Sequence, residues 1–517
     1  MLIVRSKKSV VLKVRNPNRI TTVIPTSKTF QFKGNTMVAV KHGIDETRVL
    51  RNMGFSVPSP VGYYYDWPGL FKPFDAQRAT VEFLSLNPRA FCLNGMGSGK
   101  TLATLWAFDY LRSQGKATRL LISAPLSTLE RTWADEVFRH FPHLEYAVLH
   151  GSRDKRLKLL AQKADVYLIN HHGMKIISDA MKDRPDIDLI VIDEVAQAAR
   201  NASTDIWKAH NVICNKQSPR NVFGLTGTPT PNAPTDAWAQ CRLIVPANVP
   251  PYFNRFRDQV MKQQGPFTWI PKAGATETVK EVMQPAIRFA LEDCTDLPEC
   301  VFTTRQVDLT SDQAKAYKEM LTKLKLEVDG GEVLAVNEAV KVSKLVQIAC
   351  GVAYNSQGDE VTLDAKPRLE LVKEIIEEAG TKTIVFVPFV SSVGLVTQYL
   401  RDNGYTVECI HGGVTKQQRD DILSAFQKTK DPHVLVAIPS TMSHGLSLTA
   451  ANTIVWYAPI TSNDVYQQAC ARVRRPGQKH AQLIVNIEGT PVERKMYARL
   501  QAKEKMQGIL LDLVRGE

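Results

Sequence analysis

The hydrophobic pattern of the first part of the chain has a period of two. Short runs of near-alternate apolar residues occupy residues 1–42, and turn residues interrupt them, as in Asn16-Pro17-Asn18 and Gly34-Asn35. This pattern is typical of short strands, so residues 1–60 are predicted to contain a small β-rich accessory module. Ile44 to Met53 follows a helical pattern that stops at Gly54.

Two longer regions alternate continuous apolar runs with helical patterns. Such runs predict strands of a parallel sheet that helices cover on both faces. We expect one α/β domain over residues 70–245, a connector without regular structure over 246–300, a second α/β domain over 301–490 and a C-terminal helix over 491–517. The apolar runs are Ala90–Leu93, Leu120–Ser123, Val166–Ile169, Leu189–Ile192, Val222–Leu225, Thr383–Val387, Val407–Ile410, Val434–Ile438, Thr453–Tyr457 and Leu483–Ile487.

Composition excludes several classes of protein. The chain has 517 residues, of which 44% are hydrophobic and 23% are charged, as in an ordinary globular protein. No apolar stretch approaches the ~18–20 residues of a spanning helix, and no signal peptide is visible at Met1. We therefore expect a cytoplasmic protein that does not contact a membrane. The eight cysteines form no C-x-x-C pair, which argues against a zinc site or a disulfide framework.

The net charge of +13 is concentrated near the N-terminus. Residues 1–51 contain eleven Lys and Arg residues and only two acidic residues, Asp45 and Glu46. A concentrated basic segment favours a polyanionic partner, most often a nucleic acid. The alternative is a solvated basic surface without a partner.

A glycine-rich segment follows the apolar run Ala90–Leu93 and precedes a helical pattern. Glycines between a strand and a helix allow backbone N–H groups to surround phosphate oxygens, which predicts an ATP site. Lys100 is expected to reach the β- and γ-phosphates, and the Thr101 hydroxyl is expected to bind Mg²⁺. A glycine-rich turn without a ligand is the alternative. The predicted phosphate-binding residues are Asn94, Gly95, Met96, Gly97, Ser98, Gly99, Lys100 and Thr101.

Two acidic residues, Asp193 and Glu194, end the apolar run Leu189–Ile192. Phosphoryl transfer to water needs one carboxylate to hold Mg²⁺ and another to orient and deprotonate the attacking water. Asp193 suits the first role and Glu194 the second. A solvated strand end is the alternative for the pair alone, and the nearby glycine-rich segment favours the catalytic interpretation.

Over residues 70–500 the chain resembles the superfamily-2 helicases and translocases, within them the SNF2-like group. Leu121–Leu129 resembles motif Ia, Leu225–Pro229 motif III, Ser440–Thr449 motif V and Gln468–Gln478 motif VI. The resemblance implies two tandem RecA-like parallel-sheet lobes with ATP bound in the cleft between them. It also implies that Arg472 and Arg475 reach the γ-phosphate as arginine fingers.

The resemblance assigns further residues by motif. Gln77 and Gly445 are expected near ATP. Thr226, Gly227, Thr228 and Gln468 are expected to couple the lobes. The residues expected to contact DNA backbone atoms are Ser127, Thr128, Asn170, His171, Ser440 and Thr441.

The chain departs from the group's pattern at several positions. The Asp-Glu-x-His box reads Asp193-Glu194-Val195-Ala196, and motif V has Ser447 where the group usually has Asn. These differences favour the compact SNF2-like helicases of bacteria and their phages over the eukaryotic remodellers. The aromatic segment Tyr63-Tyr64-Tyr65 with Trp67 fits either stacking on bases or packing in a core.

The sequence therefore predicts an ATP-dependent DNA helicase or translocase that uses ATP and Mg²⁺ and acts as a monomer. It is expected to bind duplex or branched DNA through its backbone, without reading sequence. An RNA-dependent helicase of the DEAD-box kind is the main alternative. A non-catalytic nucleic-acid scaffold is a third, which the intact Lys100, Asp193, Glu194 and Arg472 argue against.

Overall fold

The computed structural model divides the chain into two compact units, Met1–Thr295 and Asp296–Glu517. The structure describes residues 1–502 except 218–219, 266–268, 292, 294–297, 330–334, 355–359, 443–447 and 476. Within the described residues, no helix has the length and apolar character that crossing a membrane requires.

The N-terminal module is an antiparallel sheet in the strand order β1-β2-β4-β3. Its inner face carries buried valines and leucines, which pack against Leu50 of the helix Ile44–Asn52. Alternation with period two therefore produces the predicted β-rich module, because one face is buried and the other faces solvent. The strands are β1 (Leu2–Val4), β2 (Ser9–Lys13), β3 (Lys28–Phe32) and β4 (Asn35–Lys41), and a short helix spans Asn18–Thr21.

The helix Ile44–Asn52 fastens this module to the first parallel-sheet lobe. Arg48 donates hydrogen bonds from Nε to the Leu86 carbonyl at 2.8 Å and from Nη2 to the Ser85 carbonyl at 3.0 Å. Ile44 is buried in the hydrophobic core of that lobe. Since a residue of the module completes the lobe's core, the two pack as one folding unit.

The first lobe is a parallel sheet in the order β13-β5-β10-β9-β6-β8-β7. Continuous apolar strands are buried because helices cover both faces, as the sequence predicts. The strands are β5 (Arg89–Cys92), β6 (Arg119–Ala124), β7 (Tyr146–Val148), β8 (Val166–Asn170), β9 (Ile187–Ile192) and β10 (Asn221–Leu225). The helices before β10 and directly after it are Val61–Tyr64, Asp75–Leu86, Lys100–Ser113, Leu126–Thr128, Asp135–His140, Arg153–Ala161, Met174–Ile177, Val195–Ala198, Asp205–Asn211 and Asp236–Ile244.

The connector predicted to lack regular structure is instead a packed part of the first unit. Its helices are Phe253–Val260 and Ala275–Val282, and it forms a hairpin of β11 (Met261–Gln263) and β12 (Trp269–Pro271). Strand β13 (Ala286–Ile287) adds to the sheet beside β5. Val260 and Met283 are buried in the lobe's core. Sequence periodicity missed this because the elements are short and their apolar residues are few.

The second unit contains another parallel sheet, in the order β14-β21-β20-β17-β19-β18. The strands are β14 (Cys300–Gln306), β15 (Val352–Tyr354), β16 (Glu360–Thr362), β17 (Lys382–Phe386), β18 (Val407–Ile410), β19 (Val434–Ala437), β20 (Ala451–Trp456) and β21 (Gln482–Glu488), of which β15 and β16 form a separate hairpin. The helices are Ser311–Asp329, Ala335–Ala349, Lys366–Ala379, Val390–Asp402, Lys416–Lys428, Asn463–Cys470 and Pro491–Ala502. The rest of the predicted C-terminal helix lies outside the described residues.

A buried ion pair ties the last helix of the second unit to its core. Arg368 and Glu493 are 2% and 0% exposed, and Nη1 of Arg368 lies 2.9 Å from Oε1 of Glu493. Glu493 also accepts hydrogen bonds from the Gly489 N–H at 2.9 Å and the Thr490 hydroxyl at 3.0 Å. Removing either partner would leave an uncompensated charge in the core.

Candidate functional site

The motif residues of the first lobe lie at one edge of its sheet. The carboxyl ends of β5, β10, β9, β6 and β8 are neighbours in that order. The glycine-rich segment follows β5, Asp193 and Glu194 follow β9, and Asn170 ends β8. Parallel strands present their carboxyl ends at the same edge, which is where ligands bind in open α/β sheets.

The glycine-rich segment forms a loop that leads into the helix Lys100–Ser113. Gly97 and Gly99 have φ angles of 81° and 75°, a region that favours glycine. A Cβ at Gly99 would lie 2.1 Å from Nε2 of Gln77, so there is no room for a side chain there. The loop therefore turns tightly and presents the N-terminus of a long helix, the environment that binds phosphate.

Asn94, the residue at the first motif position, anchors the loop to the lobe. Its side chain is buried, and Nδ2 donates a hydrogen bond to the Thr80 hydroxyl at 2.8 Å. Its Oδ1 accepts a hydrogen bond from the Phe289 N–H at 2.9 Å, and the Gly95 N–H donates to the Phe289 carbonyl at 2.8 Å. The segment after β13 thus supports the loop from behind, a contact that the sequence did not reveal.

Two side chains of the loop fit a phosphate ligand. The Lys100 ammonium spans the loop and donates hydrogen bonds to the carbonyls of Asn94 at 2.9 Å and Gly95 at 3.0 Å. The buried Ser98 hydroxyl has no hydrogen-bond partner among the described residues. Phosphate oxygens offer acceptors to both groups, so these residues fit the predicted nucleotide.

Gln77 lies against the same loop. Its Oε1 accepts a hydrogen bond from the Phe74 N–H at 3.0 Å, and its Nε2 contacts the Gly99 carbonyl at 3.4 Å. The side chain is 5% exposed. Gln77 therefore links the lead-in segment to the phosphate loop, and its proximity to ATP stays a prediction.

Asp193 is held by a tryptophan. The indole Nε1 of Trp133, which is fully buried in the π-helical turn Leu129–Ala134, donates a hydrogen bond to Oδ2 of Asp193 at 2.9 Å. Burial raises the pKa of Asp193, while the Trp133 hydrogen bond and the charge of Lys100 act in the opposite direction. The carboxylate thus lies near Lys100, as a shared ATP and metal site requires.

Glu194 occupies an unusual backbone conformation, with φ of 46° and ψ of 50°. Non-glycine residues seldom adopt this left-handed region, and such conformations cluster at functional sites. The next two residues, Val195 and Ala196, are buried. The fourth position of the Asp-Glu-x-His box, Ala196 in this chain, is thus part of the core. An apolar residue suits that position better than the histidine of the SNF2-like pattern.

The coupling residues after β10 approach the phosphate loop. The Thr226 N–H donates a hydrogen bond to the Cys92 carbonyl at 3.1 Å, and the Thr226 hydroxyl accepts one from the Thr228 N–H at 3.2 Å. A Cβ at Gly227 would lie 3.2 Å from Cγ of Met96. A movement of the phosphate loop would therefore displace this segment directly.

A buried cluster of polar side chains supports the strand ends below Asp193. The Ser123 hydroxyl lies 2.8 Å from Nδ1 of His171 and 2.9 Å from Nε2 of His210, and the Ser123 carbonyl accepts the Asp193 N–H at 2.8 Å. Nδ1 of His210 donates to the Ile206 carbonyl at 2.8 Å, so its Nε2 accepts the Ser123 proton. Sequence reasoning gave no role to Ser123, although it lies in motif Ia, or to His210, because the two residues are distant from one another in the chain.

We expect this cluster to make the first unit sensitive to acid. Burial lowers the pKa of His210 to about 4. The unfolded state binds the proton first, so stability is complete above the unfolded pKa of ~6.5 and falls by up to about 3 kcal/mol as the pH drops toward 4. Urea unfolding at several pH values measures this. His210→Gln should flatten the dependence, whereas His172→Gln, an exposed control, should not; equal slopes for both would contradict the assignment.

The residues of the first lobe predicted to contact DNA differ in accessibility. Ser127 is exposed, whereas Thr128 is buried and its hydroxyl donates to the Pro125 carbonyl at 2.9 Å. Asn170 accepts a hydrogen bond from Nη1 of Arg156 at 2.8 Å. His171 is 7% exposed and bonded to Ser123. Thr128 and His171 therefore hold the loops in place, and Ser127 is the best presented of the four.

The motif residues of the second unit follow β19 and the helix Asn463–Cys470. Ser440 is exposed, and the Thr441 hydroxyl donates to the Ile438 carbonyl at 2.6 Å. Gln468 lies partly buried on the helix, and Gly445 lies outside the described residues.

The two candidate arginine fingers of the second unit lie just after that helix. Arg472 is 3% exposed, and its carbonyl accepts the Leu448 N–H at 3.0 Å. Nε of Arg475 contacts the Ala471 carbonyl at 3.4 Å. Burial lowers the pKa of Arg475 to about 10, which leaves the guanidinium protonated at neutral pH.

The aromatic lead-in packs within the first unit. The Tyr65 hydroxyl donates a hydrogen bond to Asp109 at 2.6 Å, and the Tyr65 and Trp67 rings lie 5.2 Å apart with edge-to-face geometry. The Tyr64 hydroxyl lies 3.0 Å from Nδ1 of the buried His42. Of the two interpretations of this segment, the structure favours core packing over base stacking.

A phosphate loop after β5, an acidic pair after β9 at the same sheet edge and a second parallel-sheet unit define an ATP-dependent motor of the helicase class. The SNF2-related domain model matches residues 88–350, and the helicase conserved C-terminal domain model matches residues 367–477. The chain belongs to the SNF2-related family. The predicted fold class and the predicted class of enzyme are thus confirmed.

The chain is similar to relatives of very different length. It is 26% identical over 475 residues to protein p41 of Acyrthosiphon pisum secondary endosymbiont phage 1, covering 86% of this chain and 99% of that protein. It is 24% identical over 427 residues to an uncharacterized ATP-dependent helicase, MG018, of Mycoplasma genitalium, covering 81% of this chain but 40% of the relative. The chain thus spans under half the length of that cellular relative.

A solved structure shows the same fold. The Saccharomyces cerevisiae protein Dbp5 bound to RNA and ADP BeF3 has a TM-score of 0.50 and 12% identity, over 89% of this chain and 90% of that one. At 12% identity this likeness establishes the fold alone. The chain is also similar to the SWI2/SNF2 ATPase core of Sulfolobus solfataricus in complex with dsDNA, with a TM-score of 0.41 and 23% identity over 87% of this chain and 94% of that one.

Proposed function

We propose that this protein is a DNA-dependent ATPase that converts ATP hydrolysis into movement along DNA. The observation that carries the proposal is that a phosphate-binding loop bearing Lys100 and a carboxylate, Asp193, held by Trp133 lie at the same edge of one parallel sheet. Membership of the SNF2-related family supports it. The domain limits predicted from sequence and the monomeric state belong to the same proposal.

The proposed chemistry assigns a separate role to each residue of the first lobe. The loop N–H groups and Lys100 bind the phosphates of ATP, and the Thr101 hydroxyl and Asp193 would hold Mg²⁺. When bound, Mg²⁺ would neutralise charge on the phosphate oxygens. Glu194 orients the attacking water and accepts its proton, since it directly follows Asp193 at the end of the strand.

Arg472 and Arg475 of the second unit complete the proposal. Their cationic side chains are proposed to meet the γ-phosphate when the two units close on ATP, stabilising the charge that develops there. Opening and closing would then advance the protein along one DNA strand, with Ser127, Asn170, Ser440 and Thr441 contacting phosphate and sugar.

One assay tests the proposed function most directly. Steady-state ATPase activity should rise with duplex, forked or four-way DNA over its basal rate, with single-stranded DNA and RNA as the comparison polymers. Stimulation by RNA and not by any DNA would replace the proposal with the RNA-dependent alternative. Absence of stimulation by every polymer, in protein that binds ATP, would contradict a nucleic-acid motor.

We expect the Trp133 hydrogen bond to affect the metal. Trp133→Phe keeps a buried ring but removes the donor to Asp193, and loss of a group that orients a metal ligand typically costs about 10–100-fold in metal affinity or activity. A Mg²⁺ titration of ATPase activity measures the shift in half-saturation. Trp106→Phe is the matched control, because its indole is equally buried but donates to the Pro68 carbonyl. Identical titrations for both variants would contradict the role.

A further inference from the structure

The outward face of the N-terminal sheet combines exposed aromatic rings with lysines. Directly paired residues of antiparallel strands share a face, and Phe30 of β3 pairs with Met37 of β4, which pairs with Lys13 of β2. By the same register Lys28 shares this face, as does Lys41 two residues beyond Ala39. The opposite face holds the buried residues Val10, Leu12, Val38 and Val40.

The aromatic rings of this face are open to solvent. Phe30 and Phe32 are 41% and 55% exposed, and they alternate along β3, an edge strand on which every residue is exposed. Alternate residues of one strand lie about 7 Å apart. Exposed phenylalanines do not stabilise this module's core, so the core does not explain them.

A tight turn fixes which residues face outward. Lys33 and Gly34 have φ angles of 48° and 73°, the two positive values of a two-residue hairpin turn of type I′, and Phe32 pairs with Asn35 across it. This turn sets the register between β3 and β4. A shift by one residue would place Phe30 and Phe32 on the same face as Val38, which packs in the core.

The charge around the rings is of one sign. Residues 1–44 contain nine Lys and Arg residues and no Asp or Glu. Lys13, Lys28 and Lys41 on the outward face are exposed, and the Lys33 ammonium lies 5.7 Å from the centre of the Phe32 ring. Two copies of such a surface would repel one another, whereas a polyanion would be attracted.

We infer that this face, defined by Phe30, Phe32, Lys13, Lys28 and Lys41 and here called the aromatic face, binds single-stranded DNA. Aromatic rings stack on the faces of unpaired bases while lysines contact the phosphates, a combination that tolerates any sequence. Duplex DNA fits the face less well, because its bases are already stacked on one another and exposing them costs free energy. The inference rests on the proposed function in one respect, which is that DNA is the nucleic acid that the protein binds.

The aromatic face lies outside the ATP site, so it gives the motor a second surface that binds DNA. An unpaired strand bound there would be retained whether or not ATP is bound. Because the helix Ile44–Asn52 fastens the module to the first lobe through Arg48 and Ile44, removing residues 1–51 would also damage that lobe. Point substitutions on the exposed face are therefore the appropriate test.

The test measures binding of a fluorescein-labelled oligothymidylate by anisotropy, using the full chain without nucleotide. Phe30→Ala and Phe32→Ala should each weaken binding about fivefold or more, and the double variant about 30-fold. Phe30→Leu should weaken it as much as Phe30→Ala, and Phe30→Tyr should restore it, because stacking needs an aromatic ring. Phe138→Ala, which removes a 72% exposed ring from the helix Asp135–His140, is the matched control and should bind normally.

The lysines are tested through salt. The triple variant Lys13→Gln, Lys28→Gln and Lys41→Gln should flatten the slope of log K against log[salt] by about 2 on single-stranded DNA. Lys262→Gln, an exposed lysine of β11, is the control. Unchanged affinity in the double Phe variant would overturn the inference, as would a concentration-dependent dimer that the same variant abolishes.

The ATPase assay on the same proteins separates this inference from the proposed function. Suppose that the Phe30 and Phe32 variants keep duplex-stimulated ATPase activity and bind oligothymidylate like the unsubstituted chain. The inference about the aromatic face would then be wrong, and the proposed motor function would stand. If DNA does not stimulate the ATPase activity of the unsubstituted chain, the proposed motor function is wrong. The anisotropy measurements would still test whether the aromatic face binds single-stranded DNA.

Discussion

Glu194→Gln should abolish ATP turnover and leave ATP binding nearly intact. The amide keeps the shape of the side chain but cannot accept the proton of the attacking water, and loss of a general base typically costs about 10²–10⁴ in rate. Lys100→Ala should abolish turnover and weaken ATP binding together, because the ammonium contacts the loop that holds the phosphates. Equilibrium binding of a fluorescent ATP analogue beside steady-state kcat measures the two effects separately.

A control is available on the same lobe. Glu145→Gln makes the same chemical change at an exposed carboxylate that follows no motif, and its kcat should be that of the unsubstituted chain. A Glu194→Gln variant with near-normal kcat would show that another group activates the water. A Lys100→Ala variant that binds ATP normally would remove the phosphate loop from the proposed site.

Arg472→Ala and Arg475→Ala should lower kcat far more than they weaken ATP binding. An arginine finger stabilises charge that appears only in the transition state, and its contribution is about 10³–10⁵ in rate. Single-turnover hydrolysis in the presence of duplex DNA measures the chemical step itself. Lysine at either position should recover only part of the activity, since it lacks the planar donor pair of a guanidinium.

The control for these arginines must separate catalysis from folding. Arg472 is almost fully buried, so circular dichroism and thermal unfolding of the variant show whether the second unit is intact. Arg305→Ala removes an arginine that is 41% exposed and pairs with Glu378, itself 45% exposed, and a surface pair of this kind contributes little. If both finger variants are folded and hydrolyse ATP like Arg305→Ala, the proposed two-unit site is wrong.

Local sequence determined the phosphate loop and the acidic pair. The glycines, Lys100 and Thr101 adjoin one another in the chain, and an apolar strand before them is enough to place them at a helix N-terminus. The period-two and continuous apolar patterns similarly predicted the N-terminal strands and most strands of the two parallel sheets, since burial on one face or two leaves a direct mark on the sequence. They did not predict β14, whose residues are largely exposed. Short elements such as β7 and β13 were missed, because a few residues carry no readable period.

Tertiary structure decided the contacts that join distant parts of the chain. The Trp133–Asp193 hydrogen bond, the support of Asn94 by Phe289 and the Ser123–His171–His210 cluster each link residues far apart in sequence. Each depends on the order of strands in the sheet, which hydrophobic periodicity does not specify. The folded structure also showed that His171, which motif position assigned to DNA contact, lies in the interior of the first lobe.

The basic N-terminal segment shows both contributions together. Its composition determined the excess of positive charge, and its alternation determined that one face of the strands is buried. Only the paired register of β2, β3 and β4 decided that Phe30, Lys13 and Lys28 share the solvent face. Charge and hydrophobic period are properties of a single strand. A shared surface exists only after strands pair, and this pairing depends on contacts between separate segments of the chain.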